Sequence, residues 1–205
     1  MSLWLILALA LGLAAMWRLA RLVVRLGLLL LLVALIAVDG AWSSHSQSPP
    51  TAPPAGTSAR VAHVADGDTL TAITAGGPVR VRLLGIDAPE LSSTRFRYPT
   101  CGGRAAAVHL RALAPPGTPV QLITDPASGD THDAYHRLLA YVDGPHGDLG
   151  EVQLGAGEAI VYRYHGRRFS RLAACLRAEQ IARAHDRGAW RSCHGDFRRP
   201  VTEGP

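Results

Sequence analysis

The chain is 205 residues long with a formal net charge of +5, and all 21 of its basic side chains are arginine. From residue 56 onward there are 18 arginines against 15 acids, a balance mild enough to exclude charge alone as an argument for any partner, though it is compatible with a polyanionic one. The uneven composition also excludes one soluble domain over the whole length.

Residues 3–17 and 26–38 are apolar throughout, and the stretch between them carries Arg18, Arg21 and Arg25. A basic flank before a 13-residue apolar run has the shape of a secretory signal. Asp39, at the third position before a cut after Ala41, makes a poor cleavage site. Each run is shorter than the roughly 20 residues that cross a bilayer comfortably, yet a tilted helix or a hairpin of both still serves as an anchor. In every version the arginines stay on the cytoplasmic side and the rest of the chain is exported. Residues 1–42 are therefore expected to be a signal or membrane anchor. The next segment, "SSHSQSPPTAPPAGTS", is too rich in Ser, Pro, Ala and Thr to bury a core, so 43–59 reads as a disordered linker. Residues 60–197 remain for one domain of roughly 140 residues, enough for a core of its own, with 198–205 as a disordered tail.

The domain opens with "VAHVADGDTLTAI", two short strands broken by the turn signal Asp66-Gly67-Asp68. After Gly76-Gly77 comes "VRVRLLGIDAPE", which alternates like a strand and ends in two acids, Asp87 and Glu90. Gly85 marks a bulge or a close backbone approach, and Ala88-Pro89 ends the strand. Alone, this stretch is also an ordinary half-buried strand with solvated arginines and an acidic turn. Three strands in a meander, however, bring Asp68 beside Asp87. Neighbouring carboxylates repel and need a cation or a proton between them. Oxygen ligands without Cys or His point to Ca²⁺ or Mg²⁺.

Helices are expected over 103–114, stopped by Pro115-Pro116, over 149–156, ended by Gly157, and over 168–187, ended by Gly188. Between the first two, "DAYHRLLAYV" is a polar turn entering a strand, and its Arg137 adds a second guanidinium to that of Arg82. A divalent cation, a carboxylate to orient or deprotonate water, and arginines on the developing charge are what attack on a phosphodiester requires. Of three cysteines, Cys175 falls on the apolar stripe of the last helix and reads as core, while Cys101 and Cys193 read as a disulfide suited to an exported domain. Three free thiols are the alternative. Trp190 reads as a plug at the helix end, and the histidines other than His132 and His136 as exposed.

The order "DGDTL", "RLLGIDAPE", "DAYHRLLAYV", "LGAGEAIVYRY" and "AHDRGAW" resembles the staphylococcal nuclease (thermonuclease) family over residues 60–193. The short alternating strands suit a small closed barrel, which the resemblance identifies as an OB-fold: an α+β domain with a mostly β core, five strands and about three covering helices. The resemblance implies Asp68, Asp87 and the carbonyl of Ala88 as Ca²⁺ ligands, Glu90 as the water-orienting residue or general base, and Arg82 and Arg137 on the phosphate. It places Tyr135 near substrate and supports the Cys101–Cys193 pairing. It implies a monomeric, Ca²⁺-dependent, sugar-non-specific endonuclease acting on DNA and RNA at the 5′ P–O bond, secreted or membrane-anchored. The alternative is a non-catalytic OB-fold that binds nucleic acid at the cell surface; such a protein is expected to lose acids or arginines from the set, and here all are present. One departure stands out: His136 occupies the position between Tyr and Arg where the family usually has glycine, a residue that marks positive φ or close approach.

Overall fold

The structure, a computed structural model, describes residues 21, 24–28, 56–91 and 99–199. Residues 21 and 24–28 are helical; otherwise the anchor, the linker before Gly56 and the tail beyond Arg199 lie outside the described residues. Among the described residues no helix is long and apolar enough to cross a membrane.

Strands β1 (Thr57–Asp66), β2 (Thr69–Thr74) and β3 (Gly77–Leu83) form the expected antiparallel meander. β5 (Pro119–Ile123) pairs with the start of β1, and β6 (Leu138–Gly144) pairs with β5 on one side and, in parallel, with β3 on the other. That last pairing closes a five-stranded barrel in the order β1-β2-β3-β6-β5, the OB-fold. β1 serves both β2 and β5, and two register shifts, between Val61 and His63 and between Val64 and Asp66, bend it enough to do so. The interior is filled from alternate positions of every strand, including Val61, Leu70, Val81, Leu122, Leu138 and Val142. Short strands β4 (Ile86–Asp87) and β8 (Ile160–Val161) pair outside the barrel, and β7 (Gly147–Asp148) folds back antiparallel on the end of β6.

Helix α1 (Gly103–Leu113) lays Ala106 and Leu110 on the core, and its buried Gly103, Ala106 and Ala107 are small enough to let it pack closely. α2 (Leu149–Ala156) starts where the Asp148 carboxylate accepts from the amides of Gly150 and Glu151, and ends at Gly157 with φ +78. α3 (Leu172–Ala184) buries Cys175, as expected of a core residue, and burial pushes that thiol up to about 12. A short α4 (Ala189–Ser192) follows, with Trp190 packed edge-on against Phe197 at 4.9 Å. Cys193 is fully buried and its sulfur is joined to that of Cys101, tying the start of α1 to the chain's end across 92 positions. A closed loop of that length restricts the unfolded chain by up to roughly 4–5 kcal/mol.

Four expectations need correction. The domain begins at Thr57 rather than residue 60, because Thr57 and Ser58 pair with Leu122 and Gln121 whatever their composition. Arg198 and Arg199 belong to the packed domain: the Arg199 carbonyl accepts from the Cys101 amide at 2.7 Å. His109 is half-buried against Gln153 rather than exposed. The last helix starts at Leu172 instead of 168, since buried Asp125 captures the backbone ahead of it. Its carboxylate accepts from the Ser170 amide and hydroxyl at 2.6 and 2.9 Å, from Tyr141 at 2.6 Å and from the Ala127 amide at 2.9 Å.

Burial alone would raise the Asp125 carboxyl, but these donors outweigh it and hold the group below its usual value. Its contribution is therefore complete above the unfolded-state value of roughly 4 and is lost as pH falls through the lower folded-state value. Asp125→Asn should cost about 1–3 kcal/mol at pH 7, with the gap to wild type closing in acid. Urea melts of both proteins down the pH scale check this; a gap that does not change with pH would contradict it.

Candidate active site

The turn between β1 and β2, strand β4 and the segment leading into β6 meet at one mouth of the barrel. Asp68, Arg82, Asp87, Glu90, Tyr135 and Arg137 all line the groove there. The pairing of Thr69 with Arg82 across β2 and β3 sets the arginine beside the turn. Its Nη2 lies 3.1 Å from Asp68 Oδ2 and 2.9 Å from Asp87 Oδ1, and its Nη1 donates to the carbonyls of Leu83 and Ile86. The opening alternative of solvated strand arginines does not hold for Arg82, whose side chain is only 11% exposed.

Two glycines let the backbone come this close. Gly85 has φ +88, and a Cβ there would meet the Phe169 ring at 2.7 Å, which accounts for the bulge expected from sequence. A Cβ on Gly67 would sit 2.6 Å from that of Ala106 and 2.8 Å from that of Ala88. The Gly67 carbonyl is held from behind by Gln153, fully buried in α2, which donates to it at 2.7 Å and to the Ala106 carbonyl at 3.1 Å. Gln153 in turn meets His109 from α1 through its Oε1. Both helices thus brace the acidic turn.

Asp68 is buried and makes two further contacts: Oδ2 accepts from the Ala88 amide at 2.9 Å, and Oδ1 from the Thr69 hydroxyl at 2.9 Å. Glu90 is half-buried, with its backbone carbonyl accepting from the Thr100 amide at 2.9 Å. Burial, then the negative charges of Asp66 and Asp68, push its carboxyl up to about 7, and it shares a hydrogen bond with Asp66. Burial also raises Asp66, which accepts from the amides of Gly67 and Leu91.

Arg137 is aimed by two partners. Its Nε donates to Asp133 at 2.6 Å and its Nη1 to the Thr69 hydroxyl at 3.0 Å. Burial would raise Asp133, but the Arg137 amide and guanidinium and the Tyr135 amide hold it below the usual carboxylate range. Tyr135 is 71% exposed at the rim, its ring 5.4 Å from the Arg137 guanidinium carbon. His136 has φ +58, the conformation glycine favours, so the substitution is accommodated by strain and the aim of Arg137 survives it.

The donors fit a hard cation. Two carboxylates from different elements converge on a single cationic nitrogen, with the Ala88 backbone beside them. Among the described residues no group of three or more His, Cys, Asp or Glu side chains forms a metal cluster, so an ion here would draw its remaining ligands from backbone oxygen and water.

Asp66, Thr69 and Asp133 also belong to the site; they sit inside or beside the quoted motifs, where turn or strand chemistry already accounts for them. Gln153 is marked in the sequence only as a lone polar residue in an apolar helix, and Arg198 lies beyond the expected domain end. Arg198 Nη2 is 3.2 Å from Asp87 Oδ2.

A closed OB barrel with paired acids and arginines at its mouth defines a nuclease-like domain. Residues 80–192, more than half of the chain, match the family described as staphylococcal nuclease homologue; the chain belongs to that family. It is also 32% identical over 133 residues to an uncharacterized protein of Bacillus anthracis, an alignment covering 64% of this chain and 59% of that protein.

Replacing His136 by glycine removes the penalty of about 1–2 kcal/mol that an L-residue meets in this left-handed conformation, offset in part by glycine's extra unfolded-state freedom. His136→Gly should therefore raise stability by about 0.5–1 kcal/mol, read as a higher urea midpoint. A lower midpoint would show that the imidazole makes a contact worth more than the strain.

Proposed function

We propose that this protein is a Ca²⁺-dependent, sugar-non-specific endonuclease that hydrolyses phosphodiester bonds of DNA and RNA on the outer side of the membrane. The observation that carries the reading is the convergence in one groove of Asp68, Asp87, Glu90, Arg82 and Arg137. A non-catalytic binder needs the arginines but has no use for a third carboxylate, Glu90, next to the paired acids.

Asp68 and Asp87, with the Ala88 carbonyl, would hold the cation. Bound there, Ca²⁺ would supply positive charge against the phosphate and the attacking water. Glu90 orients that water and accepts its proton as the oxygen–phosphorus bond forms and the bond to the 5′ oxygen breaks; the leaving oxygen is protonated from solvent. Arg82 and Arg137 hold the non-bridging oxygens, where charge accumulates in the transition state. Arg137 reaches that position because Asp133 and Thr69 fix its planar fork from two sides. Tyr135 contributes an exposed aromatic edge for the strand being cut. Export follows from the arginine-flanked apolar segments, and an oxidised Cys101–Cys193 pair suits that compartment.

Plasmid DNA and RNA should both be degraded with added Ca²⁺ and spared in excess chelator. Glu90→Gln should lower turnover by about 10²–10⁴-fold with an unchanged fold. Arg137→Lys should be severely impaired despite its retained charge, since lysine lacks the fork that matches two phosphate oxygens. Full activity in chelator, or wild-type turnover in Glu90→Gln, would refute the mechanism. Tight binding without cleavage by the wild type would favour the non-catalytic alternative.

A further inference from the structure

We propose that Arg198, on the segment after α4, is a substrate-binding residue that grips a phosphate of the bound strand at the edge of the groove. The proposal rests on the nuclease reading of that groove.

The position of Arg198 is set by its neighbours on both sides. Phe197 is buried against Trp190. The Arg199 carbonyl accepts from the Cys101 amide at 2.7 Å, and its Nη2 donates to Cys101 Sγ at 3.2 Å. The Arg198 amide itself donates to Asp196 at 3.1 Å. The joined Cys101 and Cys193 therefore anchor a short strap that delivers one guanidinium to the groove.

There the side chain is 67% exposed and meets Asp87 through one nitrogen only. Asp87 already has Arg82 on its other oxygen at 2.9 Å. An exposed, single-point ion pair of this kind contributes little, so exchanging it for a phosphodiester, which offers two oxygens to the planar fork, is easily favourable. When Asp87 instead faces a cation, Arg198 becomes the surplus positive charge at the rim. Its backbone need not move, because side-chain rotation supplies the reach and the remaining guanidinium N–H groups supply donors, while Phe197 and Arg199 stay fixed. Arg82 and Arg137 are each held by partners within the groove and serve the phosphate under attack; Arg198, far more exposed than either, suits a neighbouring phosphate.

The test uses the full chain and a fluorescein-labelled single-stranded 12-mer DNA, first in excess chelator so that binding is read without hydrolysis. Arg198→Ala should weaken binding about 5–10-fold and reduce the slope of log affinity against log salt by about 0.7, the loss of one single-strand phosphate contact. Arg198→Lys should keep the slope while binding less tightly than wild type. With Ca²⁺ restored, Arg198→Ala should raise KM with kcat within about twofold, as expected for loss of uniform binding. Unchanged affinity and salt slope in Arg198→Ala would overturn the proposal, and so would faster cleavage, which would make Arg198 a brake on Asp87. If wild type binds the 12-mer but does not cleave it with Ca²⁺, the nuclease reading fails, while the salt slope still decides whether Arg198 grips a phosphate.

Discussion

Two carboxylates drawn onto one guanidinium govern this molecule. Asp68 and Asp87 come from different elements, and both are removed from bulk water to a degree that would be costly for unpaired charges. Arg82 makes their proximity tolerable, its Nη2 lying within 3.1 Å of each. Much of the local architecture serves that meeting. The β2–β3 register puts Arg82 across from the turn; the Leu83 amide donates to the Asp68 carbonyl at 2.8 Å. Gly85 then lets the chain double back so that β4 presents Asp87, and Gly67 lets the turn press against α1 and Ala88.

Barrel closure joins the remaining machinery to this pair. The parallel β3–β6 pairing matches Arg82 with Leu139, two residues beyond Arg137, so both arginines arrive at the same mouth from neighbouring strands. Thr69 links them: its hydroxyl donates to Asp68 and accepts from Arg137. A change in either arginine is therefore felt by the turn that carries the acids. α1 and α2 contribute from beneath, through His109, Gln153 and the Gly67 carbonyl, an arrangement that supports the loop without placing a described residue of either helix in the groove.

The barrel and most of the groove were legible in the chain because local chemistry and tertiary structure agree there. Alternation marked β1, β2 and β3, while Gly157 marked the end of α2. The position between Tyr135 and Arg137 was recognisable as one suited to glycine, and His136 does adopt positive φ. What could not be read depended on distant partners. Ser170 and Arg171 have helical neighbours, yet Asp125 and Tyr141, about 30–45 positions away, take their amides and delay α3. Thr57 and Ser58 look like linker until β5 pairs with them. Gln153 carries no local mark of its role, and Arg198 matters only because a cysteine near α1 holds its neighbour.

If the paired acids form a cation site, charge compensation by Arg82 and by Ca²⁺ must be partly interchangeable. The direct measurement is urea unfolding of wild type and Arg82→Met, each in chelator and in Ca²⁺. In chelator the variant should lose about 3–5 kcal/mol, the cost of leaving a buried pair without its partner. Added Ca²⁺ should then stabilise the variant well beyond its effect on wild type, recovering a large part of that loss. An equal shift in both proteins, or none in the variant, would contradict the claim that Asp68 and Asp87 meet in order to hold a cation.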